Sequence, residues 1–254
     1  DTATITVNAS GQNDAPTAAD NTVTTNEDTN HTFAASEFNF TDVDGDSLDH
    51  ISIETLPSNG TLLLSGNAVS AGDQISVANI SNLVFRPVAN ANGDDYDTFT
   101  FSVNDGTVDS GTYTMTIDVT AVNDAPLATD DADAVNEDAT ITESSGSELL
   151  VADDTDTDGN TLTVTQIAIT GGSNSSVTSS TTYSNGTSIT GTYGTLTVGA
   201  NGSYTYVADQ SASDDLDASD LATDSFTYTV SDGDATDTAT LIFTITGVND
   251  VPTA

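Results

Sequence analysis

The clearest pattern along this chain is alternation with a period of two. Phe99, Phe101 and Val103 alternate with Thr100 and Ser102, and Tyr113, Met115, Ile117 and Val119 alternate with Thr114, Thr116 and Asp118. The pattern returns at Phe226, Tyr228 and Val230 and again at Leu241, Phe243 and Ile245. Successive side chains of a strand point to opposite faces, so these runs predict strands with one buried and one wet face. The abundance of Thr and Val fits strands, and no stretch combines helical spacing with caps. Asn-Gly pairs at Asn59, Asn92, Asn185 and Asn201 predict tight hairpins, because both residue types accept a left-handed backbone. Many short strands of this kind predict an all-β chain built of two-sheet sandwiches with Greek-key connections. The Ser-, Thr- and Gly-rich stretch Gly171–Thr192 lacks the alternation and is expected to form a long hairpin or loop.

The strand pattern belongs to a repeat. Asn13-Asp14-Ala15-Pro16 recurs as Asn123-Asp124-Ala125-Pro126 and as Asn249-Asp250-Val251-Pro252. Each of the first two copies is followed by Asn-Glu-Asp (Asn26–Asp28, Asn136–Asp138), then by an acidic loop (Asp42-Val43-Asp44-Gly45-Asp46, Asp156-Thr157-Asp158-Gly159-Asn160). Each then closes on an aromatic strand and an Asp-Gly turn, Asp105-Gly106 or Asp232-Gly233. Five landmarks in one order, twice, mark a tandem array. The expected boundaries are 13–122 for the first repeat and 123–248 for the second. Asp1-Thr2-Ala3-Thr4 precedes Asn13 as Asp237-Thr238-Ala239-Thr240 precedes Asn249, so 1–12 reads as the closing strand and linker of a preceding repeat. Residues 249–254 read as the start of a linker to the next. The chain is expected to be a piece of a longer array.

Charge narrows the function. Forty acidic side chains face a single Arg86 and no Lys, for a formal net charge of −39. Neutralising phosphate needs a Lys/Arg surface, so nucleic acid and anionic membranes are excluded as partners. The 35% hydrophobic content is low, but its ordered placement argues against disorder. With no Cys there is no disulfide, thiolate metal site or Cys nucleophile, and imidazole chemistry is limited to His31 and His50. No apolar run exceeds a few residues, so neither a membrane span nor a signal peptide is expected.

Most exposed acids only solvate a surface. Those at the repeat landmarks are different, because they bunch in turns at matching offsets. Asp-x-Asp sets two carboxylates near a common point, and Asn-Asp beside a proline adds an amide oxygen and a third carboxylate. Such hard oxygen donors suit Ca²⁺, which takes about six to eight of them. The run Asp154-Thr155-Asp156-Thr157-Asp158-Gly159 imitates the start of an EF-hand loop. Its twelfth position is Thr165 rather than a bidentate Glu, and no helices flank it, so that reading is rejected. The glycine-rich nonapeptide of calcium β-rolls is absent too.

Taken together, the linkers Ala121-Val122-Asn123-Asp124-Ala125-Pro126 and Gly247-Val248-Asn249-Asp250-Val251-Pro252, the Asp-x-Asp loops, the early Glu27 and Glu137 and the late Asp105 and Asp232 resemble the calcium motifs of cadherins. With Val-Asn-Asp-Ala-Pro and Val-Ser-Asp-Gly, the chain is similar to the cadherin-like and VCBS-type repeats of large bacterial repeats-in-toxin adhesins. The sequence departs from cadherins at Ala121 and Gly247, where their linkers carry an Asp, and has no clear Asp-Arg-Glu motif; Asp94, Asp95 and Asp97 are candidate substitutes. The resemblance implies tandem immunoglobulin-like, cadherin-like Greek-key sandwiches with Ca²⁺ at their junctions. It implies ligands Glu27, Asp95, Asn123, Asp124, Asp156, Asp158 and Asp232 for the middle junction. Asn13, Asp14, Asp42, Asp44 and Asp105 would serve the upstream one, and Glu137, Asn249 and Asp250 the downstream one.

The leading functional expectation is a calcium-stiffened extender of a secreted, cell-surface adhesin that projects a distal adhesive domain in cell adhesion and biofilm formation. Its partners are neighbouring repeats of the same chain, and the chain is expected to be a monomer. The alternative is a module that binds surface polysaccharide or protein. Sugar platforms usually need exposed aromatics, there is no Trp, and only Tyr183 and Tyr193 are candidates. An enzyme is not expected: neither histidine lies in a nucleophile motif, and His50 reads as an exposed residue leading into Ile51-Ser52-Ile53.

Overall fold

The alternating runs become the longest strands of a nearly all-β protein, seen in a computed structural model that describes residues 11–145, 150–179 and 181–249. The chain divides into two compact units, Asp1–Val122 and Asn123–Ala254. The sequence-based closing strand at residues 1–8 and the linker residue Asp250 lie outside the described residues.

In the first unit one sheet runs β1 (Asn21–Asn26), β9 (Tyr113–Thr120), β8 (Gly93–Asn104), β3 (His50–Ile53), β6 (Gln74–Ser76). The facing sheet runs β2 (His31–Thr32), β7 (Leu83–Pro87), β4 (Gly60–Leu64), β5 (Asn67–Ala68). The first strand pairs parallel with the last, Asn21 opposite Met115 and Asn26 opposite Thr120, while β8 and β9 are antiparallel. Apolar positions from both sheets meet in one core. There Phe33 packs edge-on against Phe99, and Phe38 against Phe101, with ring centroids 5.6 and 4.9 Å apart.

The second unit repeats this plan with its own core. Its sheets run β10 (Asp131–Asn136), β18 (Thr236–Thr246), β17 (Leu221–Ser231), β12 (Thr163–Ile169), β13 (Ser175–Ser176) and β11 (Thr140–Glu143), β16 (Tyr204–Val207), β15 (Thr195–Val198), β14 (Thr187–Thr190). Strand β10 again pairs parallel with β18. Tyr206 stacks on Phe243 at the centre of the core, with centroids 4.1 Å apart and planes 11° apart. Both units are therefore two-sheet sandwiches of the immunoglobulin-like kind, as the alternation predicts.

Three details differ from the sequence-based expectation. The stretch Gly171–Thr192 is not a bare loop: β13 and β14 lie within it as edge strands, one on each sheet. Edge strands face neighbours on one side only, so Ser and Thr serve them as well as apolar residues. The two units also reach their edges in different orders. In the first, β5 extends β4 before the chain returns to the other sheet as β6, whereas in the second β13 precedes the β14–β15–β16 meander. Of the four Asn-Gly pairs, only Asn201-Gly202 joins paired neighbours, β15 and β16, with Gly202 at φ +83°. Gly60 instead begins β4 with the Phe85 ring lying on it, and an added Cβ would come within 2.3 Å of that ring.

Candidate metal centres

Asn13 and Asp14 enter the first unit just before an isolated bridge, Thr17 opposite Thr41, ties that segment to the acidic loop. The Asn13 amide nitrogen donates to Asp105 Oδ2 at 2.9 Å, and the Asp14 N–H donates to Asp44 Oδ2 at 2.7 Å. Asp42 Oδ1 accepts the N–H groups of Asp44 and Asp46, an Asx-type turn that folds the loop back on itself. Asp105 Oδ1 takes the N–H groups of Thr107 and Val108 across the Asp-Gly turn. Linker, loop and turn thus meet at one end of the sandwich.

The second unit reproduces this. Asn123 donates to Asp232 Oδ2 at 2.8 Å, and the Asp124 N–H donates to Asp158 Oδ2 at 2.8 Å. Asp156 Oδ1 accepts the Asn160 N–H, and Asp232 Oδ1 takes those of Asp234 and Ala235. Asn160 also donates to Asn123 Oδ1 at 3.2 Å. The bond from Asn13, followed by the Val108 N–H, holds the Asp105 carboxyl below its ordinary pKa; for Asp232 the Ala235 N–H leads and Asn123 follows. Both are fixed as anions.

Glu27 and Glu137 are placed elsewhere. Each follows the first strand of its unit and is buried at the end where that unit's last strand finishes. Glu27 Oε1 accepts the Val122 N–H at 2.6 Å, and Glu137 Oε1 accepts that of Val248. Glu27 Oε2 is occupied by the Asn92 amide at 3.0 Å, whereas Glu137 Oε2 is buried and accepts nothing. Asp95 shares the Glu27 end of its unit. It sits exposed on a bulge of β8 at φ +48° and donates its N–H to Asp118 Oδ1. Asp97, weighed beside it as a ligand, is instead a buried structural anchor that takes N–H groups from Ser58 and Asn59.

Among the described residues, no three carboxylate or imidazole side chains converge on a point that could hold a metal. A calcium ion here would have to draw on amide and carbonyl oxygens and water as well. The chemistry of the donors fits, since all are hard oxygens. Asp42 Oδ2 and Asp156 Oδ2, at matching positions of the two loops, are buried without a hydrogen bond, as is Glu137 Oε2. A buried unpaired acceptor costs about 1–3 kcal/mol, and more when charged, a cost that a cation would relieve.

One acidic group was not singled out as a ligand by the sequence. In the second unit Asp131 and Asp154 have their carboxyl pKa pushed up to about 6, first by burial and then by the charges of neighbouring aspartates. Asp131 accepts the Tyr228 hydroxyl at 2.6 Å, and Asp154 Oδ1 accepts the Thr129 N–H at 2.7 Å. Neither histidine forms a catalytic array. His50 pairs with Asp49 at 2.8 Å and His31 lies 3.3 Å from Glu37, and His50 is half-buried rather than exposed because it begins an inner strand of its sheet.

Residues 123–247 match the bacterial cadherin-like domain, and residues 13–119 match the bacterial Ig domain. No curated protein matches the chain. Among solved structures, human protocadherin-24 EC1-2 is 16% identical over 94% of this chain and 100% of that one, with a TM-score of 0.46. Drosophila N-cadherin EC1-4 is 12% identical over 93% of this chain and 50% of that one, TM-score 0.46. An endo-fucoidan hydrolase of glycoside hydrolase family 107 is 17% identical, TM-score 0.30; 92% of this chain aligns but spans only 29% of the hydrolase.

Proposed function

We propose that this chain is a calcium-dependent extender segment of a secreted bacterial surface adhesin, of the VCBS and repeats-in-toxin kind, that holds a distal adhesive domain away from the cell in adhesion and biofilm formation. The repeats run over 13–122 and 123–248, and their partners are the neighbouring repeats of the same chain. Bacterial Ig and cadherin-like domains are typical of extracellular or surface proteins and are typically non-enzymatic, which supports the reading. The observation that carries it is the duplicated constellation of linker amide, acidic loop and Asp-Gly turn, with an orphaned oxygen on Asp42 and on Asp156. In the first repeat the calcium ligands are Asn13, Asp14, Asp42, Asp44 and Asp105; in the second they are Asn123, Asp124, Asp156, Asp158 and Asp232. Glu27, Asp95 and Glu137 add carboxylates at the opposite ends of their repeats.

A bound ion would neutralise like charges held close together in each loop. Extracellular calcium modules bind with dissociation constants of about 10⁻⁴–10⁻³ M, and at a hundredfold excess one site contributes about 2.7 kcal/mol. A segment joined by a short linker flexes by default, so this energy is also what would stiffen it. Small-angle scattering and thermal melts with calcium and with chelator test the reading. Calcium should narrow the distribution of molecular lengths and raise the melting temperature, and magnesium should substitute poorly. Superimposable profiles and melts in the two conditions would refute it.

Tyr183 and Tyr193 give the polysaccharide alternative little support. Both are half-buried, and Tyr193 packs against the core of its unit.

A further inference from the structure

Two residues before the Asp-x-Asp loop the repeats part company. The first carries Phe40, the second Asp154. In the first unit Phe40 lines a mainly apolar recess with Ala18, Ala35 and Leu48. In the second unit the corresponding wall is polar. A recess of about 310 Å³ is lined by Asp154, Asp156, Gly159 and Asn160, with Thr161 and Leu162 at its side; Leu162 corresponds to Leu48.

Asp154 is only 9% exposed. Its Oδ1 is taken by the Thr129 N–H, but its Oδ2 is shielded from solvent and accepts no hydrogen bond among the described residues, and the same is true of Asp156 Oδ2 in the same wall. A carboxylate oxygen in that position has lost its water and gained no donor. No Lys exists in the chain and its one Arg is in the other unit, so no basic side chain of this unit can supply one. The acids Asp153 and Asp237 only add negative potential at Asp154. What the recess lacks is a positive charge small enough to sit between two carboxylates and take further oxygens from an amide, a hydroxyl or water. Asn160 and Thr161, both in the lining, carry such oxygens.

We infer that the second unit binds a divalent cation, calcium by the hardness of its donors, in the recess between Asp154 and Asp156, at a site the first unit cannot form because Phe40 stands where Asp154 does. The inference rests on the calcium reading above in the identity of the ion and in Asp156, whose carboxylate the two sites would share. Asp154 lies outside the ligand set proposed there, and the site adds one ion to the second unit alone. The two repeats then differ in calcium load as well as in strand order.

Equilibrium dialysis with elemental analysis, on the full chain, counts the ions. Wild type should bind one calcium more than Asp154→Asn, which keeps an oxygen to accept the Thr129 N–H and puts an uncharged amide nitrogen in place of Oδ2. Asp42→Asn should lose an ion belonging to the first unit. If wild type binds calcium and Asp154→Asn binds the same number with affinity within about twofold, this inference fails while the extender reading stands. If wild type binds none, the extender reading fails first and this one with it. Should Asp154→Asn not fold, a crystal of wild type grown in calcium decides. An ion at about 2.3–2.6 Å from Asp154 Oδ2 is expected. A water or a protein donor in its place would overturn the site.

Discussion

Asp97 and Asp224 hold the same position in their units, each on the long penultimate strand and two residues before a buried phenylalanine, and each turns its carboxylate inward to tie down a loop from the facing sheet. Asp97 takes the N–H groups of Ser58 and Asn59 at 2.9 and 2.8 Å. Asp224 takes those of Thr192, Tyr193 and Gly194 and the hydroxyl of Tyr206, at 2.7–3.0 Å. Both are almost fully buried, at 5% and 4% exposure, and in each the carboxylate's lost water is replaced by protein donors.

Truncating either carboxylate strands several N–H groups in the interior. Asp224→Ala should destabilise the second unit by about 3–5 kcal/mol, and Asp97→Ala the first by somewhat less, since fewer groups depend on it. Denaturant melts of the two variants check this. A loss below about 1 kcal/mol for Asp224→Ala would contradict the anchoring role.

The loops should respond to calcium separately. Asp42→Ala should abolish the calcium-dependent rise in melting temperature of the first unit and leave that of the second, and Asp156→Ala should do the converse. In chelator each substitution should cost only the turn hydrogen bonds that its Oδ1 accepts, because Oδ2 has no donor to lose. Calorimetry of the full chain, resolving two transitions, reads both effects.

The second unit should gain stability as the pH falls from 7.5 towards 5 in chelator. Asp131 and Asp154 have folded-state pKa values of about 6, above the ordinary 3.8, so the folded form holds their protons more tightly. That contribution is fully present below the unfolded pKa and is lost as the pH rises through about 6. Asp232 and Asp237 of the same unit are shifted downward, so theirs has the opposite sign: present above the unfolded pKa, lost as the pH falls through the lowered one. The optimum should therefore fall between about 4 and 6. Asp131→Asn keeps an acceptor for Tyr228 and should flatten the slope of the second transition; an unchanged slope would be inconsistent with this assignment.

Gly60→Ala should destabilise the first unit by about 1–3 kcal/mol, since the new Cβ meets the Phe85 ring inside a packed core. Gly66→Ala, with open space around it but φ at +84°, should cost about 1 kcal/mol from backbone strain alone. Thermal melts of the pair separate crowding from conformation.

The sandwich was legible because alternation survives wherever a strand covers a core, as at Phe99–Val103 and Leu241–Ile245. The candidate ligands were legible because they repeat, and the structure gathers the linker, loop and turn acids of each repeat at one end. What stayed hidden depends on partners far away in sequence. Asp97 reads as a candidate ligand until Ser58 and Asn59 fold over it, although its recurrence as Asp224 before Phe226 was a readable signal of another role. The glycines of Asn-Gly pairs look alike in sequence, yet Gly60 is small to admit a ring while Gly202 turns a hairpin. Strands β13 and β14 escaped notice because an edge needs no apolar alternation.

The chain's one arginine has a consequence outside folding. Arg86 is exposed on β7 opposite Thr61, and the next residue, Pro87, is buried opposite Gly60. Proteases of the trypsin class cut after Lys or Arg and are blocked when proline follows, because its ring nitrogen carries no hydrogen and fixes the backbone at the scissile bond. In these 254 residues there is no Lys and no second Arg. Such an enzyme finds no bond to cleave whether the segment is folded or unfolded, so its survival among them is written into its composition and owes nothing to its stability.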